Sequence, residues 1–208
     1  MQTASKRGRP QEADPRRIAR IALRLFVRKG FDRVTVGEIA EAASVSRRTL
    51  FRLFPSKSEL VWDGLDEVRD VVRQRAASLA GVGLGVGEVL REFAEPFLRR
   101  LDAPAAAETA RQRLRLLAAA PALFNHPPLR EIEAVIATTL AGSASPGDTP
   151  PPLVARSLVA ATFAALIWWA EHGEGMTALE ATRAAFRALA GADQGASSTA
   201  ATSPKPLA

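Results

Sequence analysis

Apolar residues recur along this chain at three-to-four spacing, segment after segment, which predicts an all-α fold of about nine helices. Ile18, Ala22, Leu25 and Phe26 mark the first, with Asp14 as N-cap, Pro15 in the opening turn and Gly30 as C-cap. Thr35 and Glu38 have capping-box spacing, and Ile39, Ala40 and Ala43 follow on one face. A third helix opens at Ser46, turns Leu50 and Phe54 inward and stops at Pro55. Ser56 and Glu59 form a second capping box, which predicts one long helix over 57–80 with Leu60, Val61, Leu65, Val68, Val72 and Leu79 on or near one face. Four glycines at alternate positions from Gly81 to Gly87 then break the pattern. No strand precedes this run and no GK[ST] follows it, so a flexible connector is expected rather than a phosphate loop. Five further helices are expected over 88–101, 104–120, 128–141, 152–172 and 177–190, with a turn-rich loop at 143–151.

The second and third helices are short, joined by about three residues, and the latter is basic. That is a helix-turn-helix. With Leu50 and Phe54 inward, Arg47, Arg48, Thr49 and Arg52 point mostly outward. The stretch IAEAASVSRRTLFRLFPSK resembles the DNA-binding segment of the TetR family of transcriptional regulators. The resemblance implies a three-helix head over 14–60 and a ligand-binding, dimerising body over 61–191. The expected DNA-facing residues are Thr35, Val36, Ser46, Arg47, Arg48, Thr49, Phe51, Arg52 and Lys57. Three positions depart from the family pattern. Ser44 stands where glycine is usual, at a turn position that commonly needs positive φ. Phe51 stands where many members carry a phosphate-bonding tyrosine, and Leu53 where His or Tyr is common, which shifts DNA contact toward the three arginines.

Charge sharpens this picture. Residues 1–60 hold 14 Lys/Arg against 6 Asp/Glu, and the other 148 residues hold 14 against 16. A basic head on a nearly neutral body suits a polyanion bound at one end. Residues 1–13 read as a disordered basic arm. Within it, Arg7 and Arg9 in RGRP resemble the core of an AT-hook, whose arginines enter narrow A·T minor grooves; a solvated charged tail is the other reading. Residues 192–208 are Ala/Ser/Thr/Pro-rich and expected to be disordered. The chain has no cysteine, which excludes disulfides and thiolate metal sites and fits a cytoplasmic setting. No apolar core follows the basic N-terminus, so no leader is expected, and the apolar run at 158–170 reads as a buried helix rather than a membrane span.

Catalytic chemistry finds little support. His126 and His172 are the two histidines, and neither sits in a triad or a metal-ligand spacing. No cofactor or metal is expected. In the last two helices, Leu158, Ala161, Ala164, Ala165 and Trp169, with Phe186, give small residues for close approach and large ones for burial. The resemblance makes these a homodimer interface; plain intramolecular core is the alternative. Phe93, Phe97, Leu114, Leu117, Phe124, Ile132, Ile136, Phe163 and Trp168 line either an ordinary core or, as the family implies, an apolar effector pocket. A narrower likeness joins SRRTLFRLFPSKSELVWDGLDEV and RLRLLAAAPALFNH to regulators associated with the mycofactocin cluster, a subgroup taken to sense long-chain acyl-CoA. Arg111, Arg113 and Arg115 read either as CoA-phosphate contacts or as a solvated face. The reading is therefore a dimeric repressor of double-stranded DNA, released by an apolar ligand, with no membrane partner. Its rival is a small-molecule carrier or enzyme that keeps the fold, for which the charge split has no use.

Overall fold

The computed structural model describes residues 13–79, 81–142, 144–145 and 147–199, with backbone only at Val86 and from 190 to 199. The arm arginines Arg7 and Arg9 lie outside the described residues. Every regular element among them is helical: α1 Pro15–Lys29, α2 Val36–Ala42, α3 Arg47–Leu53, α4 Leu65–Ser78, a composite α5 over 86–102, α6 Pro104–Ala119, α7 Pro127–Ala141, α8 Pro151–His172 and α9 Ala178–Thr199. They form two compact units, Met1–Asp63 and Gly64–Ala208.

In the first unit the caps act as the sequence requires. Asp14 accepts the Arg16 amide at 3.0 Å, and the Gly30 N–H, at φ 88°, closes α1 on the Phe26 carbonyl. Ile18, Ala22, Leu25 and Phe26 are buried beneath. Both halves of the Thr35–Glu38 capping box are made, at 3.2 and 2.8 Å. Lys29 also bonds Glu38, at 2.6 Å, and that ion-paired bond, followed by the Thr35 amide, pulls the Glu38 carboxyl down to about 2. A lowered carboxyl pKa means the contact stabilises above the ordinary carboxylate range and is lost as pH falls toward 2, so it is intact at neutral pH.

Between α2 and α3, Ser44 sits at φ 57°, the left-handed conformation that the glycine-like position predicts. Strain there costs a side chain about 1–2 kcal/mol, and glycine returns about 0.4–1 kcal/mol of that through a freer unfolded chain. Ser44→Gly is therefore expected to raise stability by about 0.5–1 kcal/mol. Thermal unfolding checks this, and an unchanged or lower midpoint would show that the serine is not strained.

The expected single helix over 57–80 does not form. Ser58–Leu60 is a 3-10 turn, Gly64 adopts φ 88°, and α4 starts only at Leu65. Glycine at that position lets the chain reverse hand, and the two units divide just before it.

In the second unit α8 packs against α6, α7 and α9, and α4 packs against α7. By length and composition α8 could cross a bilayer, but its Ala155, Leu158, Ala165, Leu166, Trp169 and Ala170 are buried against its neighbours. The rod α5 changes pitch along its length. It is α-helical over Val86–Val89, π-helical over Leu90–Ala94, α-helical again over Glu95–Leu98 and 3-10 over Arg99–Asp102. Pro96 is the cause: it has no N–H for the Glu92 carbonyl, and its ring would strike that carbonyl in a regular helix. The Glu95 N–H accordingly reaches back five residues to Leu90. This places the Glu95 carboxylate in the interior, where Arg183 of α9 meets it at 2.6 Å and Arg99 at 3.2 Å. Finally, α9 runs to Thr199, through the start of a tail expected to be disordered. Residues 200–208 lie outside the described residues.

Candidate nucleic-acid interface

The site is built on the first unit. Ser46 caps α3 by accepting the Thr49 amide at 3.0 Å, and its hydroxyl pairs with the Thr49 hydroxyl at 2.8 Å. Leu50 and Phe54 anchor α3 in the core. The opposite face carries Arg47, Arg48, Phe51 and Arg52, all exposed, with Thr49 half-buried. Phe51 is 51% exposed, an uncommon place for a phenyl ring unless something covers it. Beside α3, the first turn of α2 presents Thr35, exposed, and Val36, half-buried. The Arg47 guanidinium lies across Gly37, 2.5 Å from where a Cβ would stand, so Gly37 holds open the space that this arginine uses. Sequence reading missed Gly37, since its role needs the α2–α3 angle.

One expected DNA contact is corrected. Lys57 does not reach outward. Its Nζ donates to the Phe31 and Val34 carbonyls at 2.8 and 3.2 Å and sits 4.3 Å from the Phe31 ring centroid. The ammonium satisfies two carbonyls in the loop that leads from α1 to α2, so it is a staple of the head. Lys57→Ala is expected to destabilise the head by about 2 kcal/mol, because two carbonyls are left without a charged donor. A denaturation midpoint equal to wild type, together with weakened DNA binding, would restore the phosphate-contact reading.

A short basic helix, capped at its start and flanked by the opening turn of α2, thus presents an exposed, positively charged face. Residues 18–62 match the family model of bacterial regulatory proteins of the tetR family, and 89–194 match the MftR C-terminal domain. The chain belongs to the TetR family. The proteins of that family are bacterial regulatory proteins. The chain is 43% identical over 58 residues to MftR of Mycobacterium tuberculosis, a protein named for regulation of mycofactocin biosynthesis, a match covering 28% of this chain and 29% of that protein. It is 43% identical over 60 residues to the HTH-type transcriptional regulator YdeS of Bacillus subtilis, covering 28% and 30%. The chain therefore spans under a third of the length of these curated relatives. Among solved structures it is similar to Thermus thermophilus FadR, a TetR family repressor in complex with lauroyl-CoA, at 23% identity, 94% and 98% coverage and a TM-score of 0.52. It is also similar to the fatty acid degradation regulator FadR of Bacillus halodurans, at 14% identity, 86% and 95% coverage and a TM-score of 0.56. At these identities the likeness shows the fold alone.

In this TetR-family chain the expected body residues fall unevenly. Phe93, Leu114, Leu117, Ile132 and Ile136 are each buried in the second unit. Phe124 and Phe163 are half-buried and meet edge to face, with centroids 5.2 Å apart, and Phe97 lies under Arg100. Trp168, expected in the pocket, is instead 49% exposed and stacks on His172. Its neighbour Trp169, expected at the dimer interface, is 1% exposed, and its indole N–H donates to the Met176 carbonyl at 2.8 Å. Leu158, Ala165 and Phe186 are also buried within the protomer, Ala161 is half-buried, and Ala164 is exposed. The outward face of α8 runs through Leu153, Ala160, Ala164 and Trp168.

Arg111, half-buried, and Arg115, exposed, both turn their guanidinium groups to the end of α8. Arg111 donates to the Trp169 and Gly173 carbonyls at 2.7 and 3.0 Å and stacks 4.0 Å from the Trp169 ring centroid. Arg115 donates to the Ala170 carbonyl at 3.0 Å. Both cap the C-terminal carbonyls of α8, where the helix dipole favours cations. A cleft of about 570 Å³ opens elsewhere, between α4 and α7, bordered by Arg73, Ala76, Ala134, Val135, Thr138 and Thr139. None of the expected pocket residues lines it.

Proposed function

We propose that this chain is a cytoplasmic homodimeric repressor that binds a pseudo-palindromic operator and releases it when an apolar small molecule, foremost a long-chain acyl-CoA, occupies the body. The observation that carries the DNA half is α3: three exposed guanidinium groups and an exposed phenyl ring on one face of a capped, buried-backed helix. Arginine bonds guanine O6 and N7 bidentately, and a phenyl ring suits a thymine methyl. Two such helices on a two-fold axis fit successive major grooves. The outward apolar face of α8, with Leu189 of α9 also 59% exposed, supports self-association, because a patch of that kind is rarely left to solvent.

The effector half rests on the buried Phe, Leu and Ile residues of the body and on the lauroyl-CoA carried by a structural neighbour. A chain gains about 0.8 kcal/mol for each CH₂ it buries, so response should climb with chain length. Release requires the ligand to fit the DNA-incompetent form better; equal affinity for both forms shifts nothing. The test selects bound sequences from random DNA and titrates the best with acyl-CoA of two to about eighteen carbons, below micelle-forming concentrations. Long chains are expected to release operator and short ones far less. A flat response sinks the acyl-CoA effector and leaves the operator reading standing.

A further inference from the structure

The outer face of α1 carries a row of arginines that the recognition surface does not use. Arg20, Arg24 and Arg28 recur at four-residue spacing, so they stack along one side at about 6 Å of rise each. All three are exposed, and none has an acidic partner among the described residues. The first turn of α1 holds no acid either. Like charges at this spacing repel and destabilise a helix, so nothing within the fold explains the row. It lies opposite the buried stripe of Ile18, Ala22 and Phe26.

Both ends of this row are tied to the helix-turn-helix. Arg17, one turn ahead of it, donates to the Ala43 carbonyl in the turn before α3 at 2.7 Å. Lys29, just after it, bonds Glu38 in the first turn of α2. These contacts fix α1 to the helix-turn-helix at both of its ends, and the charge of the row complements a phosphate backbone. We propose that Arg20, Arg24 and Arg28 bind backbone phosphates of the operator duplex beyond the segment read by α3, adding affinity without adding sequence preference. This rests on the operator reading above.

The test compares two duplexes carrying the selected operator. One ends at the half-sites; the other continues for one further helical turn, about 10 base pairs, at each end. Wild type should bind the longer duplex more tightly. Combined Arg20→Gln, Arg24→Gln and Arg28→Gln should abolish that gain and leave the short duplex unaffected. On the long duplex it should also flatten the slope of log affinity against log salt, by about 0.9 for each phosphate that is no longer neutralised. Lysine at all three positions should keep the gain, since charge rather than fork geometry is what a phosphate needs here. Thermal stability of the glutamine variant should match or exceed wild type, because repulsion is relieved. Equal weakening on both duplexes would overturn the flank contact, as would no weakening on either. So would bridging of two differently labelled short duplexes by wild type but not by the glutamine variant, which would assign the row to a second duplex. Wild type that binds neither length would overturn the operator reading itself, whereas wild type that binds both lengths equally overturns only the flank contact.

Discussion

Trp169→Ala is expected to cost the folded body about 3–5 kcal/mol, and Trp168→Ala, one residue earlier, less than about 0.5 kcal/mol. The two side chains point about 100° apart on α8. Trp169 is fully buried, holds the Met176 carbonyl through its indole N–H and lies under the Arg111 guanidinium. Its removal leaves a cavity, an unsatisfied carbonyl and a cation without its ring. Trp168 stacks on His172 and is half in solvent. Urea unfolding of both variants separates them. The comparison is made at low protein concentration, since dimerisation would stabilise whichever protomer assembles. Equal destabilisation by the two changes would mean that α8 is rotated from the phase described.

That phase was not legible in the sequence, and the reason is specific. Leu158, Ala161, Ala165 and Trp169 trace one apolar stripe on α8, while Ala160, Ala164, Ile167 and Trp168 trace another beside it. A helix apolar on every side gives periodicity nothing to choose between. The tie is broken only by neighbours remote in sequence: α6 brings Arg111 and Arg115 under the end that carries Trp169. The same non-local reach makes those two arginines unreadable from α6 alone, where they look like one more charged face.

Local chemistry was far more legible. Asp14, Thr35 with Glu38, and Ser46 each cap the helix expected of them, because a cap is decided within four residues. Ser44 adopts the positive φ that its place in the turn demands. Two breaks had visible signals that a periodic reading passes over. Gly64 interrupts an otherwise helical pattern with a left-handed residue, and Pro96 forces the π segment of α5. Lys57 shows the limit of motif reasoning. Its place in FPSK suggests a phosphate, but two loop carbonyls and the Phe31 ring lie within its reach and take the ammonium first.

Ala164→Glu is expected to give a folded monomer that no longer holds its operator. Ala164 is exposed in the protomer, on the outward face shared with Trp168, Ala160 and Leu153, so a carboxylate there meets water and leaves the fold intact. In the proposed homodimer the same position is repeated by symmetry, because a two-fold interface presents one patch to itself. Burying the new charge without a partner then costs several kcal/mol per protomer, and the two carboxylates approach each other. Each 1.4 kcal/mol is about tenfold in the dimerisation constant, so the assembly should dissociate by several orders of magnitude. Operator affinity depends on two linked heads, and a monomer keeps only one half-site's contacts. Sedimentation and circular dichroism together decide the point: wild-type helicity with a monomer's mass and weak operator binding is the expected result. A stable dimer that still binds operator would place the interface on a different face, and a drop in helicity would show that α8 packs Ala164 inside the protomer after all.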